Sequence, residues 1–371
     1  MFIEKLSLHN FKNFEEVILP LHKKVNCFVG NNGVGKTNLL DSVYYLCMTK
    51  SYFQAAEQYS IRIGAEIMGL NGTFNVNEKK DEINCALKIG SRKLFRKNKK
   101  EYQKLSDHIG NYPVVMVSPS DSALITDGSD ERRKYLNAVI SQFNHEYLED
   151  VIAYNKILAQ RNKLLKDISK ISGGKDLLEV YDEQLIPLGT KIYSKRNEFI
   201  DELVPVFKNF YSTISEGKEN VDLRYQSHLS DKNFDEILAM SHQNDLMSQT
   251  TTKGIHKDDL ELILDDNPIK KIGSQGQQKT FLVALKMAQF SFISKIKNIT
   301  PILLLDDIFD KFDVNRVKQI LHLVSDDDFG QIFITHTNEQ RMIELLSDFP
   351  ESYTLFNVKN NSIIQLDHEE K

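Results

Sequence analysis

The sequence has little of what a membrane, extracellular or metal-thiolate protein needs. Its 371 residues hold three cysteines, Cys27, Cys47 and Cys85, with no CxxC spacing and no accompanying histidine cluster. Two of them fall in apolar segments. They are expected to be small buried hydrophobes rather than disulfide or metal partners, and a reducing, cytoplasmic location is the simplest expectation. No apolar run approaches the ~20 residues that span a bilayer, so no membrane partner is expected. The sequence starts with the alternating segment Phe2-Ile3-Glu4-Lys5-Leu6-Ser7-Leu8, so no secretory leader is expected. Internal repeats and low-complexity tracts are lacking as well. Nor is there a surplus of positive charge. Forty-seven Lys and Arg against 52 Asp and Glu leave a net charge of −5, so a polyanionic partner would require a local basic patch.

What the chain does have is Gly30-Asn31-Asn32-Gly33-Val34-Gly35-Lys36-Thr37, a match to G-x-x-x-x-G-K-[ST]. Lys24 to Val29 reads as a buried strand entering it. Asn38 to Met48 reads as a helix leaving it, with Leu39, Leu40, Val43, Leu46 and Cys47 at helical spacing. Strand, glycine loop and helix in that order form a phosphate-binding loop. Glycines permit the positive φ that lets backbone amides close around phosphate oxygens, and the helix start adds partial positive charge. Lys36 is expected on the β- and γ-phosphates of ATP and the Thr37 hydroxyl on Mg²⁺.

Far downstream, Pro301-Ile302-Leu303-Leu304-Leu305-Asp306-Asp307 is an apolar strand ending in two carboxylates, the Walker B pattern. Asp306 is expected to hold Mg²⁺ through its water shell, and Asp307 to orient or deprotonate the attacking water. Ser274 with Gly276 and Gln277, opening an amphipathic helix, makes an anion-binding helix start. Phe333-Ile334-Thr335-His336 ends the next apolar strand; for His336 a catalytic and a structural role are evenly balanced.

Residues 1–120 read as α/β. Alternation over 61–100, with Gly64, Gly69, Gly72 and Gly90 as turn points, predicts antiparallel hairpins. From about 130 the period becomes helical. Phe143 to Ile168 and Leu178 to Phe210 form an antiparallel arm, broken at Ile171–Lys175 and with Pro187 as a potential kink. Val221–Gln226 and Leu260–Leu264 read as strands, and the α/β pattern returns near 280. Residues 1–125 with 290–371 are therefore assigned to one lobe carrying the phosphate loop and Walker B. Residues 126–289 are assigned to a second lobe with the arm and the Ser274 motif. The fold class is α/β, a mixed sheet around a P-loop core with an inserted helical lobe.

One basic patch exists. Between Lys88 and Lys104, Arg92, Lys93, Arg96, Lys97, Lys99 and Lys100 stand with Glu101 as the single acid. A solvated hairpin guarding an edge strand and a DNA phosphate contact are both open readings. Arg132 and Arg133 are expected to pair with carboxylates rather than hold phosphate. Gln160-Arg161-Asn162 is read as an inward polar cluster fixing the register of the arm. His256, Asp258 and Asp259 lack a further partner at ligand spacing and are given a structural role.

Ser274-Gln275-Gly276-Gln277 resembles the signature motif of ABC-type ATPases, Asp310-Lys311-Phe312-Asp313 their D-loop, and His336 their switch histidine. The distance from the phosphate loop to Ser274 resembles the SMC and double-strand-break-repair branch rather than transporter subunits. Gly128 to Leu136, Tyr154 to Leu165, and Gly254 to Leu260 followed by Ser274 to Lys279 resemble segments of the RecF family in order. The chain departs from that family at Ile255 (usually proline), Lys257 (usually arginine), Asp130 (usually proline) and Ser51-Tyr52-Phe53, which lacks an arginine. No Q-loop glutamine is evident; Ser118 to Asp121 occupy its place.

The resemblance implies an ABC-type head that dimerises with ATP, each site completed by the signature motif of a second copy. It implies slow hydrolysis, gapped or single-stranded DNA as partner, and action with RecO and RecR in loading RecA. The rival readings are a transporter ATPase subunit, an ATP-gated nuclease and an ATP-binding clamp with vestigial hydrolysis.

Overall fold

The computed structural model describes residues 1–170, 174–309, 314–325, 329–347, 353–359 and 362–366. It divides into two compact units: Met1–Ser122, Phe210–Gly217 and Gln275–Lys371 in the first, Ala123–Asn209 and Lys218–Ser274 in the second. The sequence pattern assigns 275–289 to the helical lobe. In the structure those residues belong to one continuous helix, Gln275–Lys297, which counts wholly with the first unit. Among the described residues, no helix is long and apolar enough to cross a membrane.

The first unit holds two six-stranded sheets. One runs in the order Ser362–Leu366, Tyr353–Lys359, Val25–Val29, Ile332–His336, Ile302–Leu305, Val114–Val117. All neighbours pair in parallel except the first two strands, which form a hairpin. The four strands from Val25–Val29 to Val114–Val117 are buried at every position, as expected of parallel strands covered on both faces. Their register sets His336 beside Val29 and Leu305 beside Ile334. The residues that follow, Gly30 and Asp306, therefore emerge at one edge of the sheet. In parallel α/β sheets this carboxyl edge is where ligands bind.

The second sheet is antiparallel, in the order Phe14–Pro20, Phe2–Phe11, Ile67–Val76, Lys79–Lys88, Leu94–Lys97, Lys100–Glu101. Two of its hairpins turn at Asn77-Glu78 (φ 49° and 65°) and Asn98-Lys99 (φ 50° and 68°). Paired positive φ is the two-residue turn whose twist matches antiparallel strands. Gly69 and Gly72, expected as turn points, instead lie inside the strand Ile67–Val76. At Gly72 the reason is close packing: a Cβ there would come within 2.9 Å of the Leu46 side chain and 2.8 Å of Phe74.

Leu46 belongs to the helix Lys36–Met48, of which every residue except Thr37 and Asn38 is buried. Its apolar side chains share one core with inward residues of both sheets, among them Ile3, Leu6, Phe74, Phe28, Leu304 and Phe333. A helix buried on nearly all sides fits only such an interior position. Gln331 ties the two sheets together. Its side chain accepts from Ile3 N and donates to the carbonyls of Ile3 and His22, each at 2.8 Å.

In the second unit, the helices Ser129–Phe143, His145–Asp167 and Phe234–Ser248 accompany a small antiparallel sheet, Asn267–Pro268, Asp259–Leu264 and Val221–Gln226. The helix Gly174–Ser215 continues through both Pro187 and Pro205. Leu178, Leu185, Ile192 and Phe199 recur every seven residues and are at most 3% exposed, a seam of coiled-coil character. The expected break lies partly at residues 171–173, outside those described.

Arg161 has no exposed surface. Its guanidinium donates to Asp182 (2.5 Å), Asp245 (2.7 Å) and Thr251 Oγ1 (2.8 Å), while Asn162 accepts from Thr251. Arg196 is nearly as buried and donates to Asp258, Tyr147 Oη, the Ile255 carbonyl and Asn137. Arg132 grips Asp259 through two nitrogens, and Arg133 pairs with Asp130 and the Asp258 carbonyl. His256 is held between the Thr251 carbonyl and Tyr154 Oη. These groups are all engaged within the unit.

Candidate nucleotide site

The loop between Val29 and Lys36 is built from conformations that only glycine accepts easily. Gly30, Gly33 and Gly35 have φ of 150°, 82° and 109°. A Cβ on Gly30 would lie 2.4 Å from the Val358 carbonyl oxygen, and one on Gly35 2.4 Å from Asn13 Nδ2. The loop is thus wedged between its sheet neighbour and the turn before Phe14. Asn13 completes the wedge, donating to the Val34 carbonyl at 3.1 Å and accepting from Asn38 at 2.6 Å. No side chain caps the helix that begins at Lys36. Its first amides are thus left without a capping side chain, as an anion site requires. Lys36 Nζ reaches back over the loop to the carbonyls of Gly30 (2.7 Å) and Asn31 (3.0 Å). The ammonium is therefore fixed across the loop mouth.

Two strands away, the carboxylate of Asp306 arrives at the same edge. Thr37 Oγ1 lies 2.9 and 3.0 Å from its two oxygens, joining residues 269 positions apart in the chain. Burial pushes the Asp306 carboxyl above its ordinary range, while hydrogen bonds from Thr335 and Thr37 and the charge of Lys36 oppose the shift. A hydroxyl and a carboxylate side by side are a hard-oxygen set suited to Mg²⁺.

Asp307 takes a left-handed conformation, φ 50°. Its amide donates to Thr335 Oγ1 at 2.8 Å, and the same hydroxyl lies 2.9 Å from Asp306 Oδ1. His336 is 1% exposed. Its carbonyl accepts from Gly30 N at 3.3 Å and its Nδ1 from Asn338 N at 2.9 Å, which leaves the ring proton on Nε2 in the neutral form. Gly30 to Thr37, Asp306, Asp307 and His336 therefore meet at one sheet edge. Ser274 closes the second unit and is exposed, whereas Gly276 and Gln277 lie in the first turn of Gln275–Lys297. Asp310 to Asp313, the expected D-loop, lie outside the described residues.

Thr335 and Asn13 lie within recognisable sequence segments that by themselves give neither residue a role. For Thr335 the available signal is a hydroxyl following three apolar strand residues. Asp121, at the place expected of a Q-loop, is fully engaged: it accepts from Ser118 N (2.8 Å) and Tyr52 Oη and pairs with Lys286 (2.9 Å).

The basic segment divides. Arg92, Arg96, Lys99 and Lys100 are exposed. Lys97 is partly exposed and pairs with Asp81 at 2.8 Å. Lys93 does not belong to the exposed set. It is 8% exposed, pairs with Glu57, donates to the Thr49 carbonyl at 2.6 Å and sits over the Tyr45 ring. The cause is strand alternation: Lys93 shares the inward face with buried Phe95, while Arg92 and Arg96 point outward.

A family model described as the RecF/RecN/SMC N-terminal domain matches residues 2–362. The DNA replication and repair protein RecF of Bacteroides thetaiotaomicron is 46% identical over 371 residues, covering 100% of both chains. A solved structure of the recombination mediator protein RecF with ATP superposes with a TM-score of 0.90 at 28% identity, over 99% of this chain and 98% of that one. An SMC head bound to a domain of ScpA gives 0.58 at 16% identity, over 100% and 98%, a likeness of fold alone. The α/β architecture is that of an ABC-type ATPase head, and on sequence and structure together the chain belongs to the RecF family.

Proposed function

We propose that this chain is an ATP-dependent DNA-binding protein of recombinational repair and replication-fork maintenance. The observation that carries the reading is the Thr37–Asp306 pair at the mouth of a glycine loop with Lys36 across it. In it, the amides of Gly33 to Thr37 wrap the ATP phosphates and Lys36 exchanges its loop carbonyls for the β- and γ-phosphates. Thr37 and Asp306 would hold Mg²⁺, which would supply positive charge against the phosphates. Asp307 orients water, and His336, with its proton on Nε2, donates toward the γ-phosphate. Ser274, Gly276 and Gln277 of a second copy close over the same nucleotide, so ATP drives homodimerisation. The exposed cations Arg92, Arg96, Lys99 and Lys100, with partly exposed Lys97, provide phosphate contacts to gapped or single-stranded DNA that are indifferent to sequence. An aspartate at 307, shorter than glutamate, suits slow, regulatory hydrolysis. By its family, the chain acts with RecO and RecR in loading RecA.

Sedimentation with and without ATP and gapped DNA, for wild type, Lys36→Ala and Asp307→Asn, tests this reading. Wild type should dimerise only with ATP, Lys36→Ala should stay monomeric, and Asp307→Asn should remain dimeric for longer. Equal oligomerisation of all three without ATP would refute ATP-driven closure.

A further inference from the structure

The strand that carries the phosphate loop and the strand that carries the two carboxylates are not neighbours. Ile332–His336 lies between them. Its backbone reaches the loop through the His336 carbonyl and Gly30 N. Its side chain at Thr335 reaches the other way. Thr335 is fully buried, and its single hydroxyl has one proton to give and lone pairs to receive with. The Asp307 amide can only donate, so at 2.8 Å the hydroxyl must accept from it. The proton of the hydroxyl is then directed at Asp306 Oδ1, 2.9 Å away. One oxygen thus orders two consecutive residues whose tasks differ. It fixes the rotamer of the Asp306 carboxylate against Thr37, and it holds the Asp307 backbone in the left-handed turn that aims its side chain.

We propose that Thr335 is the positioning residue of this site, setting the Asp306 carboxylate for the metal and the Asp307 turn for water through one hydroxyl. The proposal rests on the nucleotide-binding reading above. A merely space-filling threonine would be replaced by valine without consequence, since the two are nearly isosteric. A positioning hydroxyl would not. Partners that orient a metal ligand typically change metal affinity by about 10- to 100-fold when removed.

The test is a titration of Mg²⁺ into the full chain with a fluorescent ATP analogue, after measuring binding of the same analogue in EDTA. For Thr335→Val, metal-free nucleotide affinity should stay within about twofold of wild type, because the loop and Lys36 are untouched. The Mg²⁺ concentration giving half-maximal effect should rise by about 10-fold or more. Thr335→Ser should restore it. If the valine variant does not fold, Thr335→Ala removes the hydroxyl as well and gives the same readout. A hydroxyl-free variant with wild-type Mg²⁺ dependence, or a serine variant as impaired as valine, overturns the proposal. Failure of wild type to bind the analogue at all would instead overturn the nucleotide-binding reading.

Discussion

Arg161→Met isolates the energetics of the second unit. The side chain sits on His145–Asp167 and binds Asp182 of the long helix, Asp245 of Phe234–Ser248 and Thr251 just beyond it. Methionine keeps the apolar stem and removes the charge and its donors. The two aspartates then fare differently. Asp182 has 18% of its side chain exposed and can turn to water, but Asp245 has none exposed. Asp245 retains two donors, Thr252 N (2.8 Å) and Thr252 Oγ1 (2.6 Å), both on Oδ1. Stripping one partner from a buried pair costs about 3–5 kcal/mol, and the surviving donors put this site at about 3. At ~2–4 °C per kcal/mol, thermal unfolding of this unit should fall by about 6–12 °C. Adding Asp245→Asn should recover about 1–2 kcal/mol, since a neutral amide still accepts from Thr252 and no longer strands a charge. The assay is thermal unfolding by circular dichroism, with hydrogen exchange of peptides from 145–167 to localise the change. A loss under 1 kcal/mol, or no recovery on neutralising Asp245, would refute the reasoning.

Arg96→Glu with Lys99→Glu should weaken binding to single-stranded DNA with nucleotide affinity intact. The slope of log affinity against log salt should flatten by about 0.7 for each phosphate no longer neutralised. Lys93→Met should instead lower thermal stability, and DNA affinity that fell with Lys93 but not with Arg96 and Lys99 would reverse the assignment. Gly35→Ala, at φ 109° and against Asn13, should abolish nucleotide binding in equilibrium dialysis without unfolding the chain. Burial pushes the rings of His108 and His256 down to about 4. The unfolded chain, near 6.5, takes up these protons first. Each therefore contributes stability that is complete above pH 6.5 and is lost as pH falls toward 4, about 3 kcal/mol apiece. Urea midpoints across that window should rise with pH, and His108→Gln should reduce the slope.

The candidate nucleotide edge is legible in the sequence because its pattern is written in contiguous residues. Gly30 to Thr37 carry their own conformational demands, and four apolar residues before Asp306 leave few alternatives to a buried parallel strand. What escapes depends on partners distant in the chain. Thr335 matters only because its strand lies between two others, a fact of sheet order. Lys93 looks like its basic neighbours until alternation from Phe95 turns it inward. Gly64 and Gly90 do sit in turns, but Gly72 is indistinguishable from them without Leu46 above its strand, and two of the hairpins turn on Asn with Glu or Lys instead. The polar interruption at Arg161 is readable as inward, but its partners Asp182 and Asp245 are not.

The carboxyl end of the phosphate-loop helix is held from the basic segment. Lys93 takes the Thr49 carbonyl, and His108 Nε2 donates to that of Leu46 at 2.7 Å. Phe95 packs edge-on against the His108 ring between them. For protein engineering, residues 92–108 are therefore not an exchangeable cassette. The exposed cations Arg92, Arg96, Lys99 and Lys100 can be recoded one by one without disturbing these contacts. A graft that replaced Lys93, Phe95 or His108 with them would uncap the helix whose other end forms the phosphate loop.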